Sequence, residues 1–188
     1  MQNLYLDGNL IYTINSNQFS QCSILQVLNL QNNRLTSLSP LAFSGLTSLQ
    51  QLNLYSNQLS YLNESIFNLL PQLNDLSLAY NQLTQLNSSL FSTLNALRAL
   101  QLNNNQISYI GASEFSALIS LNSIDLRFNL LSSLEPNLFS SINLGSYSYY
   151  PFIIYLTSNN LVDYLINTYN STDISKLCGA NSKCQIVF

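Results

Sequence analysis

Asparagine returns every 24 residues along most of the chain, at Asn9, Asn33, Asn57, Asn81, Asn105 and Asn129. Other columns keep the same phase. Five residues before each Asn stands Leu4, Leu28, Leu52, Leu76, Leu100 or Ile124, and three before it Leu6, Leu30, Leu54, Leu78, Leu102 or Leu126. Two after it stands Ile11, Leu35, Leu59, Leu83, Ile107 or Leu131, and ten after it Phe19, Phe43, Phe67, Phe91, Phe115 or Phe139. So many columns in phase leave one kind of architecture: a stack of near-identical units, each too small to hide its apolar face alone.

The spacing sets the task of each column. Leucines two apart, as in Leu52-Asn53-Leu54, share one side of an extended strand while the residue between them faces the other way. Strands recurring once per unit pair in parallel and line one wall of the stack. The Asn just past the strand offers two donors and an acceptor oxygen. It can bond turn backbone in its own and the adjacent unit, where an unpaired buried group costs about 1–3 kcal/mol. The Phe column fills the opposite wall, where each large apolar side chain buried contributes roughly 1.5–3 kcal/mol.

The segment Gln51-Leu52-Asn53-Leu54-Tyr55-Ser56-Asn57-Gln58-Leu59, continued to Phe67, resembles the leucine-rich repeat family in its typical 24-residue form, LxxLxLxxNxLxxLxxxxFxxLxx. Through that shared repeat the chain is similar to the ectodomains of Toll-like receptors, Slit-type proteins and variable lymphocyte receptors, without selecting among them. The resemblance implies an α/β solenoid: a right-handed horseshoe with a concave parallel β-sheet and an irregular or short-helical convex side.

A single domain over 1–188 is expected, with six regular repeats over about 1–144, an insertion at 145–152, and a seventh repeat with a C-terminal cap over 153–188. The seventh repeat is read from Ile154-Tyr155-Leu156-Thr157-Ser158-Asn159-Asn160-Leu161, whose Asn159 follows Asn129 by 30 residues. Tyr169 then takes the place of the Phe column. Met1 occupies the column of Leu25, Leu49, Leu73, Leu97 and Leu121, so the chain begins in register inside a repeat. The expectation is a fragment lacking an N-terminal cap; a true start with a tolerated open edge is the alternative.

Composition removes several functions. Charged residues are 7% of the chain, with five Lys plus Arg and a net charge of −3. No basic cluster suits a phosphate backbone, so nucleic acid is not expected as a partner. Histidine, the commonest general base and metal ligand, is absent. The cysteines, Cys22, Cys178 and Cys184, fit no zinc spacing. Asp75 and Asp125 fall two strands apart on one face, roughly 10 Å by strand spacing. That is near the inverting-glycosidase range, yet it follows from the repeat alone. No enzyme activity, cofactor or metal is expected. The longest apolar run, Phe152-Ile153-Ile154-Tyr155-Leu156, is far shorter than the about 20 residues of a spanning helix, so no membrane span is expected.

Sequons place candidate glycosylation at Asn63, Asn87 and Asn170, the first two six residues after a ladder Asn and so on the return path. With scarce lysine and the typical-type repeat, they favour an extracellular protein or a membrane-protein ectodomain; a cytoplasmic location is the alternative. Extracellular relatives often end in a cysteine-rich cap. By that resemblance Cys178 and Cys184 pair in a small disulfide loop, although the usual NPxxCxC pattern is missing; free thiols are the alternative. Cys22 stands in the column of Leu46, Leu70, Leu94, Leu118 and Ile142, which makes it a small buried hydrophobe.

The outward strand positions are the expected ligand-binding surface, because an extended concave wall is what solenoids use. The candidates are Tyr5, Asn29, Asn53, Tyr55, Asp75, Tyr80, Gln101, Asn103, Asp125, Arg127, Phe128 and Tyr155. Tyr55, Tyr80, Arg127 and Phe128 are the expected anchors, since aromatic residues and Arg dominate hot spots. For any single residue the alternative is a polar side chain that merely faces water. Tyr147, Tyr149 and Tyr150 in the insertion form a second candidate surface. The expected function is protein recognition by an extracellular receptor or adhesion-type protein, with a protein or peptide ligand, or else a glycan. The alternative is an intracellular scaffold or regulatory subunit mediating protein–protein interaction.

Overall fold

The computed structural model describes residues 1–135, 137–140, 142, 152–161 and 184–187. Tyr147, Tyr149, Tyr150, Tyr169, Asn170 and Cys178 lie outside them, and with Cys178 the expected pairing to Cys184. The strands are β1 (Asn3–Tyr5), β2 (Thr13–Ile14), β3 (Val27–Asn29), β4 (Ser37–Leu38), β5 (Gln51–Asn53), β6 (Asp75–Ser77), β7 (Ala99–Gln101), β8 (Ser123–Asp125), β9 (Phe152–Tyr155) and β10 (Cys184–Val187). β2 and β4 pair with each other on the return path. The other eight form one parallel sheet in chain order, β1-β3-β5-β6-β7-β8-β9-β10.

The sequence period is the register of that sheet. Leu4, Leu28, Leu52, Leu76, Leu100 and Ile124 stand opposite one another in successive strands. Ile124 then meets Ile154, and Ile154 meets Ile186, so the row survives steps of 30 and 32 residues. No ladder Asn announces β10; only Ile186 in the leucine row marks it. β9 starts at Phe152, the residue with which the expected insertion ends.

The leucine rows point into a continuous core that runs the length of the stack and is closed on the far side by the Phe column. Phe43, Phe67, Phe91, Phe115 and Phe139 are almost fully buried. Their ring centroids follow one another at 6.4, 6.3, 6.2 and 5.8 Å. Paired strands lie only about 4.7–4.9 Å apart. Repeats spaced wider at the rings than at the sheet must curve, with the sheet on the concave side.

The convex side is the irregular form of the two expected, with no helix among the described residues. Short turns serve instead, as where the Ala42 N–H donates to the Ser39 carbonyl and the Leu46 N–H to Phe43. One turn needs glycine: at Gly45 (φ 94) a Cβ would lie 2.6 Å from the Phe19 carbonyl oxygen of the preceding repeat. Cys22 packs against the core but is half-buried rather than fully buried, as are Leu4, Leu6 and Ile11 beside it.

The ladder asparagines clamp adjacent repeats. Asn81 Nδ2 donates to the carbonyls of Leu78 (3.1 Å) and Ala79 (3.2 Å) in its own repeat and of Leu54 (3.0 Å) in the preceding one. Its Oδ1 accepts the Leu59 N–H at 3.0 Å. The same contacts recur at Asn33, Asn57, Asn105 and Asn129. Asn159 keeps them across the longer step, bonding Leu126, Leu156 and Leu131. Asn9 is exposed and reaches only Leu6 and Asp7.

Candidate binding face

Every repeat turns out of the concave sheet through the same backbone conformation. The residue before each ladder Asn has positive φ: Gly8 (65), Asn32 (53), Ser56 (52), Tyr80 (54), Asn104 (55), Phe128 (54) and Ser158 (59). Gly and Asn enter this region readily, whereas other residues are disfavoured by roughly 1–2 kcal/mol. Tyr80 and Phe128 are nevertheless there, and remain 48% and 52% exposed.

Tyr80 and Phe128 border a chain of side chains on the sheet. The Tyr55 and Tyr80 rings meet at 4.9 Å, tilted by 51°. Arg127 lies 5.1 Å from the centre of the Tyr155 ring, a cation–π contact. The guanidinium also grips Asp125, with Nε 2.9 Å from Oδ1 and Nη2 2.6 Å from Oδ2. That hydrogen bond raises the Arg127 pKa further above its ordinary value. Asp125 is therefore not a free carboxylate: its own neighbour two residues on has taken it. It also lies opposite Gln101, whereas Asp75 lies opposite Ala99, so the two aspartates do not share a row.

Several expected contact residues are partly occupied with backbone. Asn29, Asn53 and Asp125 each accept the N–H two residues ahead, from Gln31 (3.1 Å), Tyr55 (3.0 Å) and Arg127 (3.1 Å). Asn53 Nδ2 donates to Gln31 Oε1 at 2.9 Å, and the Ser77 hydroxyl to Gln101 Oε1 at 3.0 Å. Asn103 is half-buried, and Tyr5 stands exposed on the edge strand β1, away from the Tyr55–Tyr80 pair.

Between these groups the sheet is hollowed into a trough of about 450 Å³, lined among others by Gln31, Gln51, Tyr55, Asp75, Ala99 and Gln101. Small residues make it: Ser77 stands between Asn53 and Gln101 in one row, and Ala99 follows Gln51 and Asp75 in the next. Reading the sequence for anchors passed over these, because a depression is announced by missing volume rather than by a functional group. Partial burial pushes the Asp75 carboxyl above its usual value, against the opposing pull of Arg98.

The sequons at Asn63 and Asn87 sit apart from this face. The Asn63 side-chain oxygen accepts both the backbone N–H and the hydroxyl of Ser65, at 3.0 and 2.6 Å, and Asn87 Nδ2 donates to the Leu62 carbonyl at 3.2 Å. Among the described residues no group of three or more His, Cys, Asp or Glu could hold a metal ion, and no helix is long and apolar enough to cross a membrane.

The leucine rich repeat family profile matches residues 1–59 and 56–107, more than half of the chain. No curated protein matches the sequence. Among solved structures, the chain is similar to that of a TLR13–ssRNA13 complex, with 32% identity and a TM-score of 0.74 over 84% of this chain. The likeness spans 21% of that longer chain. The profile, the register of the parallel sheet and the asparagine clamps agree, and the chain belongs to the leucine-rich repeat family.

Proposed function

We propose that this chain is a non-catalytic recognition module that binds a protein partner on its concave sheet, as part of an extracellular receptor or adhesion-type protein. The observation that carries the reading is the pair Tyr80 and Phe128. Two large rings are held in a disfavoured backbone region and left half exposed, so they gain less from burial than the core rings do. Strain of this kind clusters where a chain meets a ligand, and exposed aromatic rings beside an Arg are the usual anchors of protein interfaces. The sequons at Asn63 and Asn87 support the extracellular setting, since glycans on the return path leave the sheet clear.

The structural relative is a complex with single-stranded RNA, so the family does not refuse nucleic acid. Here the concave lining favours protein. Its trough holds Asp75, and its Arg127 is already paired with Asp125, so no free cation in the trough or the Arg127 cluster meets a phosphate.

A photo-reactive residue placed at concave Asn103 and, separately, at convex Ser116 tests the reading, using the glycosylated chain secreted onto cells of the source organism. A protein adduct from position 103 that is absent from position 116, and lost in Tyr80→Asn/Phe128→Asn, is the expected result. Adducts from the convex position alone, or an RNA adduct, would refute it. A glycosidase that leaves the mass of the secreted chain unchanged would refute the glycoprotein assignment.

A further inference from the structure

We propose that the trough around Asp75 is a subsite for a cationic side chain, a lysine or arginine presented by the partner protein. The inference rests on the concave-face reading and adds the chemistry of one contact. Three observations carry it.

The first is shape. At about 450 Å³ the trough falls within the roughly 300–1,000 Å³ of small-ligand sites. It opens where Ser77 stands between Asn53 and Gln101 and where Ala99 follows Gln51 and Asp75.

The second is an unanswered charge. No hydrogen bond or ion pair from the described residues reaches the Asp75 carboxylate. The other concave aspartate with a nearby cation, Asp125, is gripped by Arg127. Arg98 is close enough to act on Asp75 through space but forms no ion pair with it. The carboxylate stands exposed at the wall of the trough, where an incoming counter-charge can reach it.

The third is the set of groups around it. Gln31 and Gln101 carry amide oxygens that each accept one hydrogen bond and keep a second lone pair for an ammonium or guanidinium, Gln51 stands beside them, and Tyr55 offers a ring face on one side. The lining contains no Lys or Arg. An anionic group entering the trough would face Asp75, with no cation in the lining to receive it.

The test is ¹⁵N NMR of the full chain, read at the side-chain amides of Gln31, Gln51 and Gln101 and the backbone amide of Asp75. The probes are the N-acetyl methylamides of lysine, arginine and norleucine, together with N-acetylglucosamine and oligouridylate. The two cationic probes should shift these signals in a saturable way. Asp75→Asn should weaken that binding at least tenfold while leaving the rest of the spectrum in place, and norleucine should not saturate. No saturable shift with either cation, equal binding by the Asn variant or by norleucine, or tighter binding of the sugar or the oligonucleotide would overturn the proposal. Gln101→Ala provides a second variant in the same trough: it should weaken the cations less than Asp75→Asn, and the reverse order would overturn the assignment of Asp75. Failure here with protein adducts still forming at position 103 removes the subsite alone; loss of those adducts removes the concave-face reading itself.

Discussion

Replacing Asn81 with alanine should destabilise the stack by about 2–4 kcal/mol, and the structure says where that figure comes from. Four hydrogen bonds are lost, yet their loss is unequal. The Leu78 carbonyl keeps Asn105 Nδ2 at 2.9 Å, the Leu54 carbonyl keeps Asn57 Nδ2 at 3.1 Å, and the Ala79 carbonyl keeps the Ser56 N–H at 3.0 Å. Each oxygen retains one donor, and an under-used carbonyl is a minor penalty. The Leu59 N–H has no substitute: Asn81 Oδ1 is its partner, at 3.0 Å in the buried turn. One orphaned buried donor costs about 1–3 kcal/mol, and the void left by the amide adds to it. Asn9→Ala removes two bonds from an exposed side chain and orphans no N–H, so it should cost well under about 1 kcal/mol. Urea unfolding followed by circular dichroism reads both, and a fall in m for Asn81→Ala would show the stack breaking at that repeat. Equal losses at Asn9 and Asn81 would refute the reasoning, as would a loss at Asn81 no larger than that of Gln101→Ala on the sheet surface.

Gly45→Ala should destabilise by about 1–3 kcal/mol, because the methyl would strike the Phe19 carbonyl at 2.6 Å from a backbone already at φ 94; thermal melts check it. Phe128→Asn should raise stability by about 0.5–1 kcal/mol while weakening partner binding, since asparagine already occupies the same conformation at Asn32 and Asn104. Asp75→Asn should stabilise the chain at neutral pH and lose that advantage on acidification. A carboxyl whose folded pKa is raised binds its proton more readily folded than unfolded, so its charge opposes folding above that range and the opposition vanishes below it. Paired melts at neutral pH and near pH 3 measure the difference, and an Asn advantage that grew toward acid would contradict the assigned shift.

The columns of the sequence specified the fold almost completely because each carries one backbone duty. Leu52 faces the core, Asn57 bonds the turn, Phe67 stacks on Phe43, and a period of 24 leaves nothing else for them to do. β10 was hidden because a strand that merely adds to an existing edge needs little more than Ile186 in the right row. The face was only partly legible. Its outward residues followed from the strand period, but their engagements did not. That Arg127 takes Asp125, that Asn53 serves the Tyr55 N–H, and that Ala99 opens a trough beside Asp75 are relations between neighbours, not properties of a column.

The stacked rings also decide what size of partner this face can meet. Ring centroids advance by about 6 Å per repeat against about 4.8 Å for the strands, across walls roughly 10 Å apart. The taper amounts to roughly 7–8° per repeat. The chain behaves as an arch whose span is set by the difference between the spacing of the rings and that of the strands. Its radius is thus written in side chains no partner touches. A thinner residue in that column would open the arch, and a flatter, larger partner would fit without any change to the surface it meets.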